Sequence, residues 1–251
     1  MSYRSLILCA SPRSGTTLFC DLLKGTGAAG RPASYYRAED IAEWAERMGV
    51  PCGEGAAFER AYLDAVVQRG TGETGIFALR LMWPSLADLM ARLELVFPGL
   101  ADDAARLEAA FGAPLYVHLS RRDKVSQAVS RLKAHQTGLW HMGADGTERE
   151  RTALHQAPVY DFERLAGFVA EAETADAEWN RWFARHGITP VRMSYEDVAA
   201  DPRTASAQVL VALGRDPELA QAAEIRTAKM ADAESRDWVA RFERERAAGQ
   251  P

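Results

Sequence analysis

Ser5-Leu-Ile-Leu-Cys-Ala-Ser-Pro-Arg-Ser-Gly-Thr-Thr-Leu18 decides the fold of this 251-residue chain. The apolar run Leu6–Ala10 predicts a short buried strand. Ser11-Pro12 turns the chain, and a helix is predicted to start near Gly15. Strand, loop and helix in this order cradle phosphate-type anions, because the first helical amides point at the ligand. Ala10 to Thr17 has the eight-residue spacing of G-x-x-x-x-G-K-[ST]. Ala10 replaces the first Gly, and Thr16 replaces the Lys that reaches the β/γ-phosphates of a triphosphate. Arg13 lies inside the loop instead. The loop suits an anion other than a magnesium-bound triphosphate.

Outward from the loop, the apolar spacing predicts helices over 15–24, 38–48, 58–69, 84–93, 102–111, 124–134 and 161–186. Strands are predicted over 6–10, 76–82, 114–119 and 189–193, and 138–147 is predicted as a loop. Alternating strands and helices indicate an α/β fold, a P-loop-like three-layer arrangement with a central parallel sheet flanked by helices. With no repeat, low-complexity tract or linker, residues 1–251 are expected to form a single domain.

A second anion-ready stretch is Leu119-Ser-Arg-Arg-Asp-Lys-Val-Ser-Gln-Ala-Val-Ser130. The strand ends, Arg121 and Arg122 follow, and Asp123 is placed to cap a helix carrying Ser126 and Ser130. Arginines at a strand's carboxyl end, beside a helix start, form an anion site.

These two stretches resemble the PAPS-dependent sulfotransferases, which use 3′-phosphoadenosine 5′-phosphosulfate. Pro12-Arg-Ser-Gly-Thr-Thr-Leu18 is similar to their 5′-phosphosulfate loop. The resemblance implies that Arg13, Ser14, Gly15, Thr16 and Thr17 bind the cofactor. It also implies that Arg121, with Ser126 or Ser130, holds the 3′-phosphate. Val191-Arg-Met-Ser-Tyr-Glu-Asp-Val198, Asp201-Pro202 and Leu213-Gly214 resemble a further segment of these enzymes, with Tyr195 near the adenine. Arg226-Thr-Ala-Lys229 and Asp237–Phe242 are candidates to close over the cofactor.

Within that class the chain is most similar to the trehalose 2-sulfotransferase type known from mycobacteria. Thr26-Gly-Ala-Ala-Gly30 with Pro32, Leu81-Met-Trp83, Val125–Ser130, Gln136-Thr137 with Trp140, and Trp238-Val239 with Arg241 carry this resemblance. It implies a cytosolic, often homodimeric enzyme that places sulfate on a hydroxyl of a carbohydrate or glycolipid, releasing the desulfated product PAP. Three positions depart from the pattern. Ser34 stands where that family has a Glu base, Arg31 replaces a Glu, and Pro12 replaces a Gln. All three fall on the acceptor side.

An acceptor hydroxyl needs a general base. Glu39, Asp40 and His135 are the candidates, with Arg13 stabilising the leaving group. Ser34, Tyr35, Tyr36, Trp83 and Trp140 are candidates for the acceptor pocket, the aromatic ones as sugar-stacking faces. No metal is expected, because His118, His135, His141, His155 and His186 lack ligand spacing.

Two other functions compete. A P-loop kinase is disfavoured by the missing loop Lys. A non-catalytic PAPS-binding protein is suggested by Ser34. The net charge of −5 argues against nucleic-acid binding. Cys9, Cys20 and Cys52 are too few and irregular for a disulfide framework. No run approaches the ~18 apolar residues of a membrane span, and the immediate first strand predicts no signal peptide, hence a cytoplasmic protein.

Overall fold

The computed structural model describes residues 3–143, 145–152, 156–224 and 232–249. Strands β1 (Ser5–Ala10), β2 (Phe77–Met82) and β3 (Pro114–Ser120) match the predicted apolar runs closely. With β6 (Val191–Ser194) they form a parallel sheet in the order β2-β1-β3-β6. β1 is therefore central, and the loop that leaves it emerges between its two neighbours.

Side chains alternate across a strand, and β1 uses both faces. Ile7 and Cys9 join one core with Leu89 of α4 (Trp83–Val96), Leu107 of α5 (Asp103–Phe111) and Trp179 of α7 (Phe162–Arg185). Leu6, Leu8 and Ala10 join the other with Leu22 and Leu23 of α1 (Thr16–Gly25) and Val209 of α9 (Pro202–Ala212). All six β1 residues are fully buried, as a central parallel strand covered on both sides must be. The predicted α/β architecture, with helices on both faces of the sheet, is present.

Helix α6 (Lys124–Thr137) packs on α7 and on α10 (Ala233–Ala247) through Val129, Leu132, Leu165 and Phe242. Asp123 caps α6 by accepting from the Ser126 amide at 2.8 Å. Gly138, with φ of 69°, ends the helix in the left-handed conformation.

Some predicted boundaries need correction. Residues 139–151 are no simple loop: β4 (Leu139–Met142) and β5 (Glu148–Arg151) pair as an antiparallel hairpin. The predicted helix over 38–48 opens as a 3-10 turn, Ala38–Asp40, before α2 (Ile41–Arg47). The predicted helix over 58–69 is longer, as α3 (Gly55–Thr71). The short helix α8 (Tyr195–Ala200) follows β6 at once, its start capped by Ser194. The candidate closing segment Arg226–Lys229 and His155 lie outside the described residues. Among the described residues, no helix is long and apolar enough to cross a membrane.

Candidate active site

The loop after β1 is tightly built. Arg13 has φ of 66°, and among the described residues it is the one non-glycine with positive φ. A left-handed conformation costs a non-glycine residue about 1–2 kcal/mol, so surrounding contacts must hold it. Ser14 Oγ donates to Ser11 O at 2.7 Å, closing the turn. Gln127 of α6 donates from Nε2 to Ser11 Oγ at 2.9 Å and to Pro12 O at 2.7 Å. Trp179 Nε1 donates to Ala10 O at 3.0 Å. Gly15, at φ of 84°, precedes α1 and provides no capping side chain. The first amides of α1 are left for a ligand. Left-handed residues spaced this way let successive amides converge on an anion.

Gly15 is also a packing requirement. A Cβ there would stand 2.3 Å from Tyr195 Cδ2. Tyr195 lies against the loop, and the Arg121 guanidinium sits 4.7 Å from its ring centroid. Arg121 Nη1 also reaches Arg13 O at 3.4 Å. Its Nε is buried without a partner, and burial lowers its pKa. Neighbouring Arg122 is engaged elsewhere, paired with Asp197 at 2.9 Å. Glu196 accepts from the amides of Arg122 and Asp123. α8 thus takes one arginine of the pair and leaves the other facing the loop.

A cavity of about 1640 Å³ opens over these groups. Its wall includes Arg13, Gly15, Thr16, Thr17, Arg121, Ser126, Ser130 and Tyr195. Arg13 Nε donates to Ser130 Oγ at 3.0 Å, and Nη1 to Trp140 O at 2.5 Å. Ser126 Oγ instead donates to Asp123 Oδ2 at 2.5 Å. Both serines share one helix face, but their hydroxyls are engaged differently. Ser14 is fully buried; its hydroxyl serves the turn.

On the acceptor side the structure separates the expected residues. Ser34, Glu39, His135 and Trp140 line the cavity. Glu39 is exposed, 3.7 Å from Arg37. Asp40 is held by Arg37 at 2.9 Å and is not on the cavity wall. His135 stacks on Phe168 and meets Trp140 edge-on. Partial burial, with Arg131 and Arg164 nearby, lowers its pKa. Tyr35 and Tyr36 are 2% exposed and belong to the core, which corrects their expected stacking role. Tyr35 donates to Arg31 O and its own carbonyl accepts from Tyr62, and burial pushes its hydroxyl up to about 12. Trp83 packs edge-on against Trp179 and borders a separate cleft of about 340 Å³.

Two wall residues escaped the sequence reading. Arg80 of β2 donates from Nε to Ser34 Oγ at 2.7 Å and from Nη1 to Thr17 Oγ1 at 3.0 Å. Thr17 Oγ1 also lies 3.1 Å from His141 Nε2 on the hairpin. A lone arginine inside Phe77-Ala-Leu-Arg-Leu-Met82 was the available signal for Arg80. The spacing of the histidines gives His141 no metal-ligand role, and no motif marks it otherwise. Among the described residues, no three His, Cys, Asp or Glu side chains gather as metal ligands do.

A phosphate-type cradle thus stands at the carboxyl edge of a parallel sheet, and the arginine beside it makes no ion pair among the described residues, Asp123 and Glu196 acting on it only through their field. Comparison with known proteins gives the chemistry. Residues 5–245 match the family model of the Stf0 sulphotransferases, so the chain belongs to that family and is a sulfotransferase. The trehalose 2-sulfotransferase of Mycobacterium tuberculosis (strain ATCC 35801 / TMC 107 / Erdman) is 29% identical over 262 residues, covering 96% of this chain and 95% of that protein. That of Mycolicibacterium smegmatis (strain ATCC 700084 / mc(2)155) is 27% identical over 262 residues, covering 95% and 94%. Among solved structures, a sulfotransferase from Alicyclobacillus acidocaldarius aligns with a TM-score of 0.44 at 15% identity, covering 100% of this chain and 97% of that one.

Proposed function

We propose that this sulfotransferase moves the sulfuryl group of PAPS onto a sugar hydroxyl and releases PAP. One observation carries the proposal. The 13–17 loop and Arg121, which makes no ion pair among the described residues, open on the same cavity, as a ligand with two separate phosphate groups requires. The orphaned Arg121 Nε fits a phosphate acceptor. The names of the two relatives support a carbohydrate acceptor, and trehalose is the first to test.

The roles follow from chemistry already described. The loop amides and the Thr16 and Thr17 hydroxyls hold the 5′ end and stabilise charge on the departing phosphate. Arg121 and Ser130 bind the 3′-phosphate, with Arg13 bonded to Ser130; Ser126 is engaged by its cap. Catalysis by such a site is mainly positioning and electrostatics. Glu39 is the proton acceptor, because it is the carboxylate among the candidates that reaches the cavity wall.

Calorimetric titration with PAP tests the assignment. A charge-assisted hydrogen bond contributes about 1.5–3 kcal/mol. Arg13→Ala and Arg121→Ala are each expected to weaken binding about tenfold or more. Unchanged affinity in both variants defeats the site assignment. Labelled PAPS with a panel of sugars and glycolipids, without magnesium, should yield a sulfated sugar. Labelling of glycolipids but no free sugar would redirect the acceptor reading.

A further inference from the structure

The cations on the cavity wall are not equivalent. Arg37 pairs with Asp40, Arg131 with Glu171, Lys133 with Asp232, and Arg151 with Glu148. Arg80 makes no ion pair with any described residue. Its side-chain partners are the hydroxyls of Thr17 and Ser34. A guanidinium offers five N–H donors, so two hydroxyls leave most of its capacity and all of its charge uncompensated. Half-buried on the cavity wall, an unpaired cation attracts an anion more strongly than it would in bulk water.

Its position tells which anion. Arg80 lies opposite Leu8 in the parallel register of β2 against β1. Its guanidinium rises beside the loop that β1 carries. One of its bonds ends on Thr17, in the cofactor-facing loop, and the other on Ser34, a cavity-wall residue of the acceptor-side segment. It therefore links the cofactor-facing loop to the acceptor-side segment. The loop itself has Thr16 where a triphosphate-binding loop has its Lys. Arg13, the loop's own arginine, is bonded to Ser130 and Trp140, on the α6 side.

We propose that Arg80 is a catalytic cation of this site. It donates to the sulfuryl oxygens as the group passes from the Thr17 side to the Ser34 side. This rests on the PAPS reading above. In the step, the bond from the acceptor oxygen to sulfur forms while the bond from sulfur to the 5′-phosphate oxygen breaks. The electron pair of the broken bond stays on the phosphate of PAP, and the acceptor's proton goes to the base. The three sulfuryl oxygens carry spread charge throughout, and a fixed guanidinium beside them needs no reorganisation as that charge moves. The planar fork also suits two oxygens of one tetrahedral anion.

The test compares PAPS with PAP, which differ by the sulfuryl group alone. Wild type, Arg80→Ala and Arg80→Lys are titrated with each ligand without acceptor, with thermal melting as the folding control. Arg80→Ala is expected to keep PAP affinity within a few-fold and to lose about tenfold or more in PAPS affinity. Its single-turnover transfer should fall by about 10²–10³. Arg80→Lys, which keeps the charge but loses the fork, should fall between the two. Equal effects of Arg80→Ala on PAPS and PAP, or none on either, overturn the assignment while leaving the cofactor reading intact. Wild-type protein that binds neither ligand overturns both.

Discussion

Gly15→Ala tests how the loop is held. The added methyl would start 2.3 Å from Tyr195 Cδ2, 3.1 Å from Cε2 and 3.3 Å from Cγ, so the clash is with the ring body and not a flexible tip. The ring must retreat by about 1 Å to reach ordinary van der Waals distance. Three costs follow. The left-handed conformation at φ of 84° costs alanine about 1–2 kcal/mol. Displacing a packed ring costs about 1–3 kcal/mol. Tilting Tyr195 away from the Arg121 guanidinium weakens a cation–π contact of about 0.5–1 kcal/mol. A total of about 4 kcal/mol should lower the melting temperature by roughly 8–16 °C for a chain of this length. PAP affinity should fall with it, because Arg121 and the Gly15 amide move together. The assay is a double-mutant cycle with Tyr195→Ala, read by melting and by calorimetry. With the ring gone, Gly15→Ala should cost only its backbone conformation. The coupling expected between the two sites is about 1–3 kcal/mol. Equal costs of Gly15→Ala in both backgrounds refute the reasoning, and a wild-type melt for the single variant does so more simply.

Two further outcomes follow from the same geometry. Glu39→Gln should lower the single-turnover rate about 10²–10⁴-fold, whereas Asp40→Asn, away from the wall and tied to Arg37, should stay near wild type; the reverse order moves the base to Asp40, and two wild-type rates remove both. Burial pushes the pKa of His118, in β3, down to about 4, against the pull of Asp176. The folded state therefore binds fewer protons than the unfolded chain between pH 6.5 and about 4, and stability should fall as pH drops through that window, by up to about 3 kcal/mol. His118→Asn should flatten that part of the melting-versus-pH curve; an unchanged slope assigns the loss to other groups.

Most of the sheet was legible because its strands are local apolar runs. Leu6–Ala10 and Leu115–Leu119 are buried on both faces and cannot be read as surface helix. The hairpin was not legible. Leu139-Trp-His-Met142 is short and mostly apolar, Glu148-Arg-Glu-Arg151 is short and wholly charged, and neither has a strand's apolar–polar alternation. Contacts distant in sequence hold them: Arg13 to Trp140 O, and Arg151 Nη1 to Thr137 O at 2.7 Å. The same distinction runs through the site. The loop and the Arg121 segment are each contiguous, so a motif reveals them. The acceptor wall draws Ser34, Arg80 and Trp140 from three separate stretches, and no spacing links them. Tyr35 and Tyr36 adjoin Ser34 in the chain, but the backbone turns both rings into the core, Tyr36 beside Tyr62 and Phe111 and Tyr35 against Trp44.

The charge distribution explains how an acidic protein can hold a polyanionic cofactor. With a net charge of −5, the chain as a whole repels such a ligand at long range. Inside a Debye length of about 8–10 Å, local charges dominate. Four wall cations, Arg37, Arg131, Lys133 and Arg151, are matched by acids, Lys133 by both Asp232 and Glu234. These pairs shape the cavity without adding a strong field. Arg121 and Arg80 make no ion pair with a described carboxylate, although Asp123 and Glu196 act on Arg121 through their field; one stands beside Tyr195 at the α8 side of the loop and one at β2 on the other. Positive points set apart in this way select an anion by the spacing of its charged groups. A wall of unpaired arginines would accept any polyanion. On the PAPS reading, pairing other wall cations is part of the specificity, and each acid that neutralises one sharpens the contrast with Arg121 and Arg80.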